Sequence, residues 1–390
     1  MRQLPFEYAF RNLSRSRVRL AAALIGSALV VLLALGAGGF IRGMQLTLTT
    51  HSALHENIII LGAGSEEAIE RSQIDAGLDS IAAASIPGLR TEAGVVFASP
   101  EVHMALPVRE SASSTKPLDA LFRGVRPVAL LVHSEVEILE GRPPQAGNEE
   151  IMIGAMAATR LGVPAERLAV GRTLHFDNRD WTIVGRFTAP NTVMDAEIWI
   201  PLTDLQIATK RESSLSCLVV SLDEATFTDV DLFAKSRLDL EISAIPEADY
   251  YRSIADFYRP IRIMILVTAC LIAMGALLGG LNTMYAAFAS RVREVGMLQS
   301  LGFTRPAIVV NLTEESVFIS ACGALIGAAL GLVLLDGIAI RFSMGAFALT
   351  IDAPVLLVGL CAGLLVGFVG AIPPSIRCLR LPINEALKAH

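Results

Sequence analysis

The chain has 390 residues, of which 53% are hydrophobic and 18% charged, and its formal net charge is −6. This composition is too apolar for an ordinary soluble globular protein, in which about 25% of residues are charged. It indicates membrane-spanning segments, and the length leaves room for two domains.

Four apolar stretches account for this composition: Leu20–Phe40, Ile261–Ala289, Val317–Ile340 and Pro354–Ile372. Each is long enough for a helix across ~30 Å of hydrocarbon, which takes about 20 residues. The first is longer than the apolar part of a signal peptide, and no small-x-small cleavage site follows it. We therefore predict an integral membrane α-helical protein with four transmembrane helices, at residues 20–40, 261–289, 312–340 and 353–375. An α/β domain is expected between helices 1 and 2.

Charge is distributed unevenly along the chain. Residues 1–19 hold five arginines and one glutamate, and the short segments 290–308 and 376–390 also carry more basic than acidic residues. Residues 42–260 hold 19 basic and 31 acidic residues, a balance of −12. Because short basic segments stay on the cytoplasmic side, both termini and the 290–308 loop are predicted inside, and residues 41–260 outside.

The segments that flank the spans have helical periodicity. Phe6, Phe10 and Leu13 share one face, so residues 1–19 are expected to lie on the inner leaflet, although an ordinary basic flank is an alternative. Residues 41–48 continue the helical pattern of the first span, and three of the five tyrosines cluster at 250–258. We predict that spans 1 and 2 extend outward as a helical stalk, with these tyrosines in an interfacial aromatic belt.

The external region alternates between strand-like and helix-like segments, which indicates a mixed α/β domain. Predicted strands, after the strand-like NIIIL, are Gly94–Ala98, His103–Val108, Ala120–Val125, Glu150–Ile153, Thr173–Phe176, Trp181–Phe187, Glu197–Pro201 and Cys217–Leu222. Predicted helices are Ala68–Ala84, Gly154–Leu161, Thr203–Thr209 and Asp229–Leu240. Cys217 is the single cysteine of this region, so the domain has no internal disulfide, and we expect the thiol to be buried.

The loop between spans 2 and 3 contains a short amphipathic segment, RVREVGMLQSLGF at Arg291–Phe303. Val292, Val295, Leu298 and Leu301 recur at helical spacing, and Gly302 is placed to end the helix. Such a helix is either a simple surface connection or a docking element for a soluble partner. Its periodicity does not distinguish between the two.

Spans 3 and 4 carry glycines four residues apart. These are Gly323, Gly327 and Gly331 in span 3 and Gly359, Gly363 and Gly367 in span 4. Small residues at this spacing let helix backbones approach closely. We predict a tightly packed helix bundle rather than a water-filled pore.

Motifs for catalysis or cofactor binding are missing from the sequence. There is no GxxxxGK[ST], HExxH, CxxC or GxSxG, so neither a P-loop ATP site nor a metal or catalytic centre is predicted. His51 and His55 have the spacing of a metal pair but lack a third ligand nearby, and a plain helical pair is favoured. His103 and His133 are read as isolated, and Asp195 and Glu197 as solvated turn residues.

Several segments together resemble one known family. The most specific begins at Asn282, where Arg291, Glu294, Val295, Gly296, Ser300, Leu301 and Gly302 match R-x-x-E-[IV]-G-x-x-[KR]-[AS]-[LI]-G, with Gln299 in place of the usual Lys or Arg. AFRNLSRSRVR near the start, Gly141–Leu202 with its WTIVG and IWIPL, and the closing LPINEALK are similar to other parts of the pattern. The chain therefore resembles the FtsX/MacB-type permease subunits of ABC transporters, the mechanotransmission class.

The resemblance implies an inner (plasma) membrane permease that pairs with a second permease chain, as a homodimer or with a sister chain. Two copies of a separately encoded cytoplasmic ATPase would drive the pair, so no enzymatic activity and no cofactor are expected in this chain. The segment 291–303 would be a coupling helix, with Arg291 and Glu294 as polar contacts to the ATPase and Val295, Leu298 and Leu301 as apolar ones. Membrane lipid and a periplasmic adaptor are further candidate partners, and nucleic acid is not.

Two functions are compatible with this family. The large external domain favours export or extraction of a lipid-linked, peptide or other amphiphilic substrate. The alternative is an FtsX-like regulator that uses the same lever to activate an extracytoplasmic cell-wall hydrolase. A membrane-anchored hydrolase is disfavoured, since no nucleophile–base pair is present.

Overall fold

The computed structural model describes residues 17–49, 57–111, 114, 116–289, 292–342 and 345–379. The chain divides into two compact units. The helical unit comprises the chain up to Arg42, Pro260–Ile338 and the chain from Leu349; the α/β unit comprises Gly43–Arg259 and Ala339–Ala348. The predicted N-terminal segment, His51, His55 and the predicted tail motif lie outside the described residues.

The helices of the described residues are given in chain order. They are α1 (Arg17–Thr49), α2 (Leu78–Ser85), α3 (Ala129–Val132), α4 (Ala157–Leu161), α5 (Leu202–Thr209), α6 (Phe227–Ser236), α7 (Glu247–Phe257), α8 (Arg259–Ala289), α9 (Val292–Ser300), α10 (Arg305–Leu334) and α11 (Ala353–Leu379). Short 3₁₀ turns occur at Ile69–Arg71, Ala165–Leu168 and Val193–Ala196.

Four of these helices are long and apolar enough to cross a membrane: Leu20–Leu48, Arg259–Asn282, Arg305–Leu334 and Ala353–Arg377. The predicted fold class, four membrane helices with an α/β domain after the first, is confirmed. The predicted end of span 3 at residue 340 is wrong, because α10 ends at Leu334. Gly337 there adopts a left-handed φ of 76°, and the Asp336 carboxylate accepts a hydrogen bond from the N–H of Ile351, which turns the chain out of the helix.

The strands are also given in chain order. They are β1 (Asn57–Gly62), β2 (Ile74–Asp75), β3 (Thr91–Glu92), β4 (Val95–Val96), β5 (Ala98–Val108), β6 (Leu118–Val125), β7 (Glu137–Gly141), β8 (Glu150–Gly154), β9 (Thr173–Phe176), β10 (Arg179–Thr188), β11 (Ile198–Pro201), β12 (Ser214–Leu215), β13 (Cys217–Ser221), β14 (Ile242–Pro246), β15 (Ala339–Phe342) and β16 (Gly345–Ala348).

Ten strands form one mixed sheet in the order β14-β1-β13-β5-β6-β11-β8-β10-β7, with β9 paired to β10. The pairs β6–β11 and β8–β10 are parallel, and the other pairs are antiparallel. Strand β5 pairs with β13 through its first half and with β6 through its second half. It therefore joins the two halves of the sheet.

Aromatic side chains fill the core of the α/β unit on both sides of its central strands. Trp181 stacks on Phe176 at 4.7 Å, and Phe176 lies 4.6 Å from Phe122. A second buried cluster has Trp199 5.1 Å from Phe187. Because large rings bury much apolar area, these clusters are a main source of the unit's stability.

Most predicted strands are found within two residues of their predicted bounds, since alternating and continuous apolar runs are strong signals. The predicted helix Ala68–Ala84 is wrong in its first half, which forms a 3₁₀ turn and strand β2 before α2 begins at Leu78. Gly77 interrupts the pattern, and its N–H is held by the Asp75 carboxylate. The edge strands β7 and β14 were not predicted.

The predicted aromatic belt is also wrong. The side chains of Tyr250, Tyr251 and Tyr258 are buried inside the α/β unit. The first two lie on α7, which packs on strands β1 and β14. Their clustering therefore reflects a core-facing helix stripe, which has the same spacing as a membrane-facing one.

Candidate coupling and transmission sites

The short helix α9 ends as its sequence predicts. Gly302 has a φ of 89°, and its N–H bonds to the carbonyl oxygen of Gln299 at 3.0 Å, while that of Phe303 bonds to Leu298 at 3.1 Å. This pair of bonds is the Schellman motif. The predicted helix stop at Gly302 is confirmed.

One face of α9 packs within the helical unit. Val292 and Val295 are buried in a cluster with Ile308 and Leu312 of α10, and Leu298 is half-buried against the same cluster. Gly296 is buried as well. The apolar stripe that suggested a docking face therefore fixes α9 to the start of the next membrane helix.

Other side chains of the α9 segment are exposed. Met297 is 45% and Leu301 65% exposed; Arg293 is also exposed, and Glu294 is half-buried. Arg291 lies outside the described residues. We call the exposed apolar side chains Met297 and Leu301 the α9 outer face. Met297 is not among the residues predicted to contact the ATPase.

The predicted packing glycines lie against α1 and α10. A methyl group on Gly323 would be 2.6 Å from the carbonyl oxygen of Leu24, and one on Gly327 would be 2.5 Å from that of Ala28. Gly331 and Gly359 face Leu35, Gly363 faces Val31, and Gly367 faces Ser320. Since real Cβ contacts are longer than these distances, glycine is required where the helices touch.

Two hydrogen bonds cross the same helix contacts. The Ser27 hydroxyl of α1 donates to the carbonyl oxygen of Ser320 at 2.8 Å, and the Ser316 hydroxyl donates to that of Gly367 at 3.0 Å. Helices α1, α10 and α11 therefore form a close-packed group. In contrast, none of residues 259–282 of α8 is buried.

The hairpin β15–β16, between α10 and α11, belongs to the α/β unit. It packs on α4 and the turn Val193–Ala196. Phe347 is buried, and Phe342 lies 5.5 Å from Tyr258. The chain therefore enters the α/β unit a second time, after the residues that connect spans 1 and 2. The prediction that these hairpin residues belong to span 3 and its loop is wrong.

A buried ionic cluster occupies the centre of the α/β unit. The Arg123 guanidinium donates to both carboxylate oxygens of Glu197, at 2.7 and 2.9 Å, and to Glu101 at 2.9 Å. His133 Nε2 is 2.7 Å from the other oxygen of Glu101. All four side chains are buried. An ion pair of this geometry, removed from water, is costly to break because it leaves a buried charge unpaired.

The protonation states in this cluster follow from burial and neighbouring charges. Burial alone would raise the pKa of Glu101, but His133 and Arg123 outweigh it and hold that pKa well below its ordinary value. Burial also opposes the charged form of His133, yet the charge of Glu101 raises its pKa. For Glu247, bonded to Asn57 at 2.9 Å, burial prevails and raises the pKa.

The interpretation of these residues as isolated or solvated was wrong. His103 and His133 both lie against Glu101, at 2.9 and 2.7 Å, and Glu197 and Asp195 are buried. The cross-strand pairs His103–Arg123 and Arg123–Trp199 bring Glu101, Arg123 and Glu197 together, and His133 joins them from the residue after α3. Asp195 lies apart and accepts a hydrogen bond from the N–H of Ala189. For Arg123 and Glu197 the available signal was a charged residue in a predicted strand, and His133 and Asp195 carried no such signal.

Glu101, His103 and Cys217 place potential metal-ligating atoms within 4.8 Å of one another. However, the carboxylate of Glu101 already bonds to Arg123, His133 and Ser99. Burial raises the pKa of the Cys217 thiol well above its ordinary value, which disfavours the thiolate that binds metals. The three side chains therefore fit a structural role, and the predicted burial of Cys217 is confirmed.

Comparison with protein families gives two matches along this chain. Residues 20–231 match the MacB-like periplasmic core domain, and residues 266–383 match the FtsX-like permease C-terminal domain. The first match alone covers more than half of the chain. The two matches together define a class of membrane permease. The chain belongs to the MacB/FtsX-like family of ABC transporter permeases.

Similar proteins include a macrolide export ATP-binding/permease protein MacB from Nitrobacter winogradskyi, 24% identical over 254 residues, which are 62% of this chain and 39% of that protein. An uncharacterized ABC transporter permease, YknZ of Bacillus subtilis, is 28% identical over 129 residues, 32% of each chain. The chain thus spans well under half the length of these relatives.

Among solved structures, the periplasmic region of MacB from Actinobacillus actinomycetemcomitans is matched with a TM-score of 0.38 at 10% identity. This match covers 51% of this chain and 92% of that one.

Proposed function

We propose that this chain is the transmembrane permease subunit of an ABC transporter of the mechanotransmission class. In this proposal a cytoplasmic ATPase, present in two copies, moves the spans of a permease pair, and the α/β unit on the far side of the membrane performs the work. The work is export or extraction of a lipid-linked, peptide or other amphiphilic substrate. The absence of a P-loop motif from these 390 residues is consistent with a separate ATPase.

The observation that carries the proposal is the division of α9 into two faces. Val292 and Val295 fix the helix to α10, while Met297 and Leu301 are exposed. A helix that is held rigidly on one side and apolar on the other is suited to transmit force from a bound partner to the following span. The exposed Arg293 lies on the same short segment and is available for a charged contact.

The helix contacts support movement as a group rather than a pore. Close approach at Gly323, Gly327 and Gly363 leaves no room between α1, α10 and α11 for a substrate path. A displacement of α10 at its start would therefore be shared by its neighbours, because packed helices shift as rigid bodies. The chain connections into the α/β unit, through α1, α8 and the β15–β16 hairpin, would carry this displacement outward.

The test is recovery of the ATPase by the tagged full-length permease. We expect Leu301→Asp to reduce co-purified ATPase by about tenfold or more, because a charge in the centre of an apolar contact loses roughly 2 kcal/mol or more. Leu301 is a cleaner position than the half-buried Leu298, where the same substitution would also disturb the packing on α10.

The matched control is Leu238→Asp, at an apolar residue of the α/β unit that is 84% exposed. This variant should recover the ATPase normally. Normal recovery with Leu301→Asp as well would show that the α9 outer face is not the docking surface.

A further inference from the structure

A cavity of about 470 Å³ opens in the α/β unit where the parallel strands β6 and β11 end. Val125, Leu130, Met152, Trp199 and Leu202 form its apolar lining. Pro127, Pro143, Pro144 and Pro201 also line it. Its volume falls within the ~300–1,000 Å³ typical of small-molecule sites, and crevices at the carboxyl ends of parallel strands are frequent binding places.

The walls of this cavity are fixed by hydrogen bonds. The backbone N–H of Gly147 donates to both oxygens of Asp204, at 3.0 and 3.1 Å, and that of Gln145 donates to Glu150 at 2.9 Å. These bonds hold the loop that carries Pro143 and Pro144. On the opposite side the Trp199 indole donates to the buried Glu197 at 3.0 Å. A site with preformed walls loses little entropy when it binds a ligand.

Arg126 is the charged side chain among the described residues that line the cavity. Its side chain is 47% exposed, and its Nη1 donates to Asp79. Its other guanidinium nitrogens have no partner within the described part of the chain, so they are free to bind an acidic group at the cavity mouth. The chemistry is therefore apolar inside, with one cation at the rim.

The strands around the cavity argue against an extended peptide as its ligand. Strand β11 is paired on both sides, with β6 and β8, so it offers no free edge for a peptide backbone to pair with. A hydrocarbon chain needs no hydrogen-bond partner. The lining accommodates it without leaving polar groups unsatisfied.

We propose that this cavity binds the hydrocarbon chain of an acidic amphiphile, with its carboxylate or equivalent anionic group on Arg126. As a substrate site this rests on the proposed function and makes it more specific. Binding to the cavity needs no ATPase, so the cavity proposal and the proposed function can fail separately.

The test uses full-length Trp181→Phe protein in detergent-free lipid nanodiscs with a scaffold that contains no tryptophan, and the probe is bromododecanoate. Bromine quenches indole fluorescence at contact range, and Trp199, which lines the cavity, is then the sole tryptophan. We expect saturable quenching. Leu130→Glu should weaken it by about tenfold or more, since it puts a charge into an apolar site. Leu131→Glu, at the adjacent residue that is exposed and does not line the cavity, should leave it unchanged.

Two further variants keep the result decisive. Ala146→Glu, at an exposed residue of the cavity wall, should weaken quenching even if Leu130→Glu fails to fold. Arg126→Gln should weaken the binding of bromododecanoate by about tenfold, since it removes a charge-assisted hydrogen bond. The binding of bromododecanol, which carries no charge, should not change. Three results would overturn the proposal. Quenching could rise without saturation, it could be unchanged in both Leu130→Glu and Ala146→Glu, or binding of the acid could be unchanged in Arg126→Gln.

Discussion

At the scale of single residues, Arg123 is the side chain that connects most of the polar core of the α/β unit. It bonds to Glu101 and Glu197 and lies 5.7 Å from the Trp199 ring. The three strands β5, β6 and β11 therefore meet at one buried cation. Such a network specifies how these strands pair, since any other register would leave a charge unpaired.

Replacement of Arg123 tests this role. We expect Arg123→Gln to lower the free energy of unfolding of the α/β unit by about 3–5 kcal/mol, because two buried carboxylates lose their counter-charge. Both tryptophans lie in this unit, so their fluorescence during denaturant unfolding of the full chain measures the effect. Arg109→Gln, at an exposed residue, is the control and should change stability by less than about 0.5 kcal/mol. Equal stability of the two variants would contradict the assignment.

The same cluster predicts a dependence of stability on pH. The folded-state pKa of His133 is raised above 6.5, so its contribution is complete below pH 6.5 and is lost as pH rises through the folded value. The raised pKa of Glu247 also makes stability decline as pH rises above 4.5. The lowered pKa values of Glu101 and Glu197 give the opposite limb, a loss as pH falls below 4.5.

We therefore expect unfolding midpoints to be highest between about pH 4.5 and 6.5 and to fall on both sides. His133→Gln should flatten the decline above pH 6.5. It should also weaken the acidic limb, because Glu101 loses one of the charges that lower its pKa, while Arg123 and the lowered pKa of Glu197 keep part of that limb. A wild-type curve that rises steadily from pH 6.5 to 9 would show that His133 is neutral in the folded state.

At the scale of elements, the glycine-lined contacts of α10 and α11 make the clearest prediction. Gly327→Leu should destabilise the helical unit, since even a methyl group would lie 2.5 Å from the Ala28 carbonyl oxygen, and overpacking costs about 1–3 kcal/mol or more. Gly279→Leu on α8 is the matched control, because a methyl group added there would meet no other part of the described chain within 4 Å outside the nearby backbone of its own helix.

The measurement is the fraction of full-length protein that stays monodisperse after heating in nanodiscs. Gly327→Leu should lose this fraction at a lower temperature than the parent, and Gly279→Leu should not. If both variants behave alike, the close packing of α1 with α10 does not contribute to stability.

Sequence patterns predicted the elements where one signal dominates. The four spans, the core strands and the end of α9 at Gly302 follow from long apolar runs, period-two alternation and a left-handed glycine. The β15–β16 hairpin could not be predicted, because Ala339 and Ile340 prolong the apolar run of span 3 and only tertiary packing on α4 makes them a strand.

The candidate sites were predicted only in part, for a related reason. Helical spacing located the apolar positions of α9 but could not say that Val295 faces α10 while Met297 is exposed. Likewise, Glu101, Arg123 and Glu197 are far apart in sequence and meet only through strand pairing. Patterns identify which residues share a face, and long-range contacts decide what that face touches.

At the scale of the whole molecule, the account requires α9 and the α/β unit to lie on opposite sides of the membrane. The basic short loops and the acidic 42–260 region predict this arrangement. If it is correct, an ATPase bound to α9 can act on external substrate only by moving the membrane helices between them.

The most direct measurement is cysteine labelling at Ser300 and Asp180 in chains whose native cysteines have been replaced. Asp180 lies on β10 at an exposed position and Ser300 is exposed at the end of α9, so a membrane-impermeant maleimide can reach either from its own side. In intact spheroplasts we predict labelling of Asp180→Cys and none of Ser300→Cys until the membrane is permeabilised. Labelling of both from the same side would contradict the account.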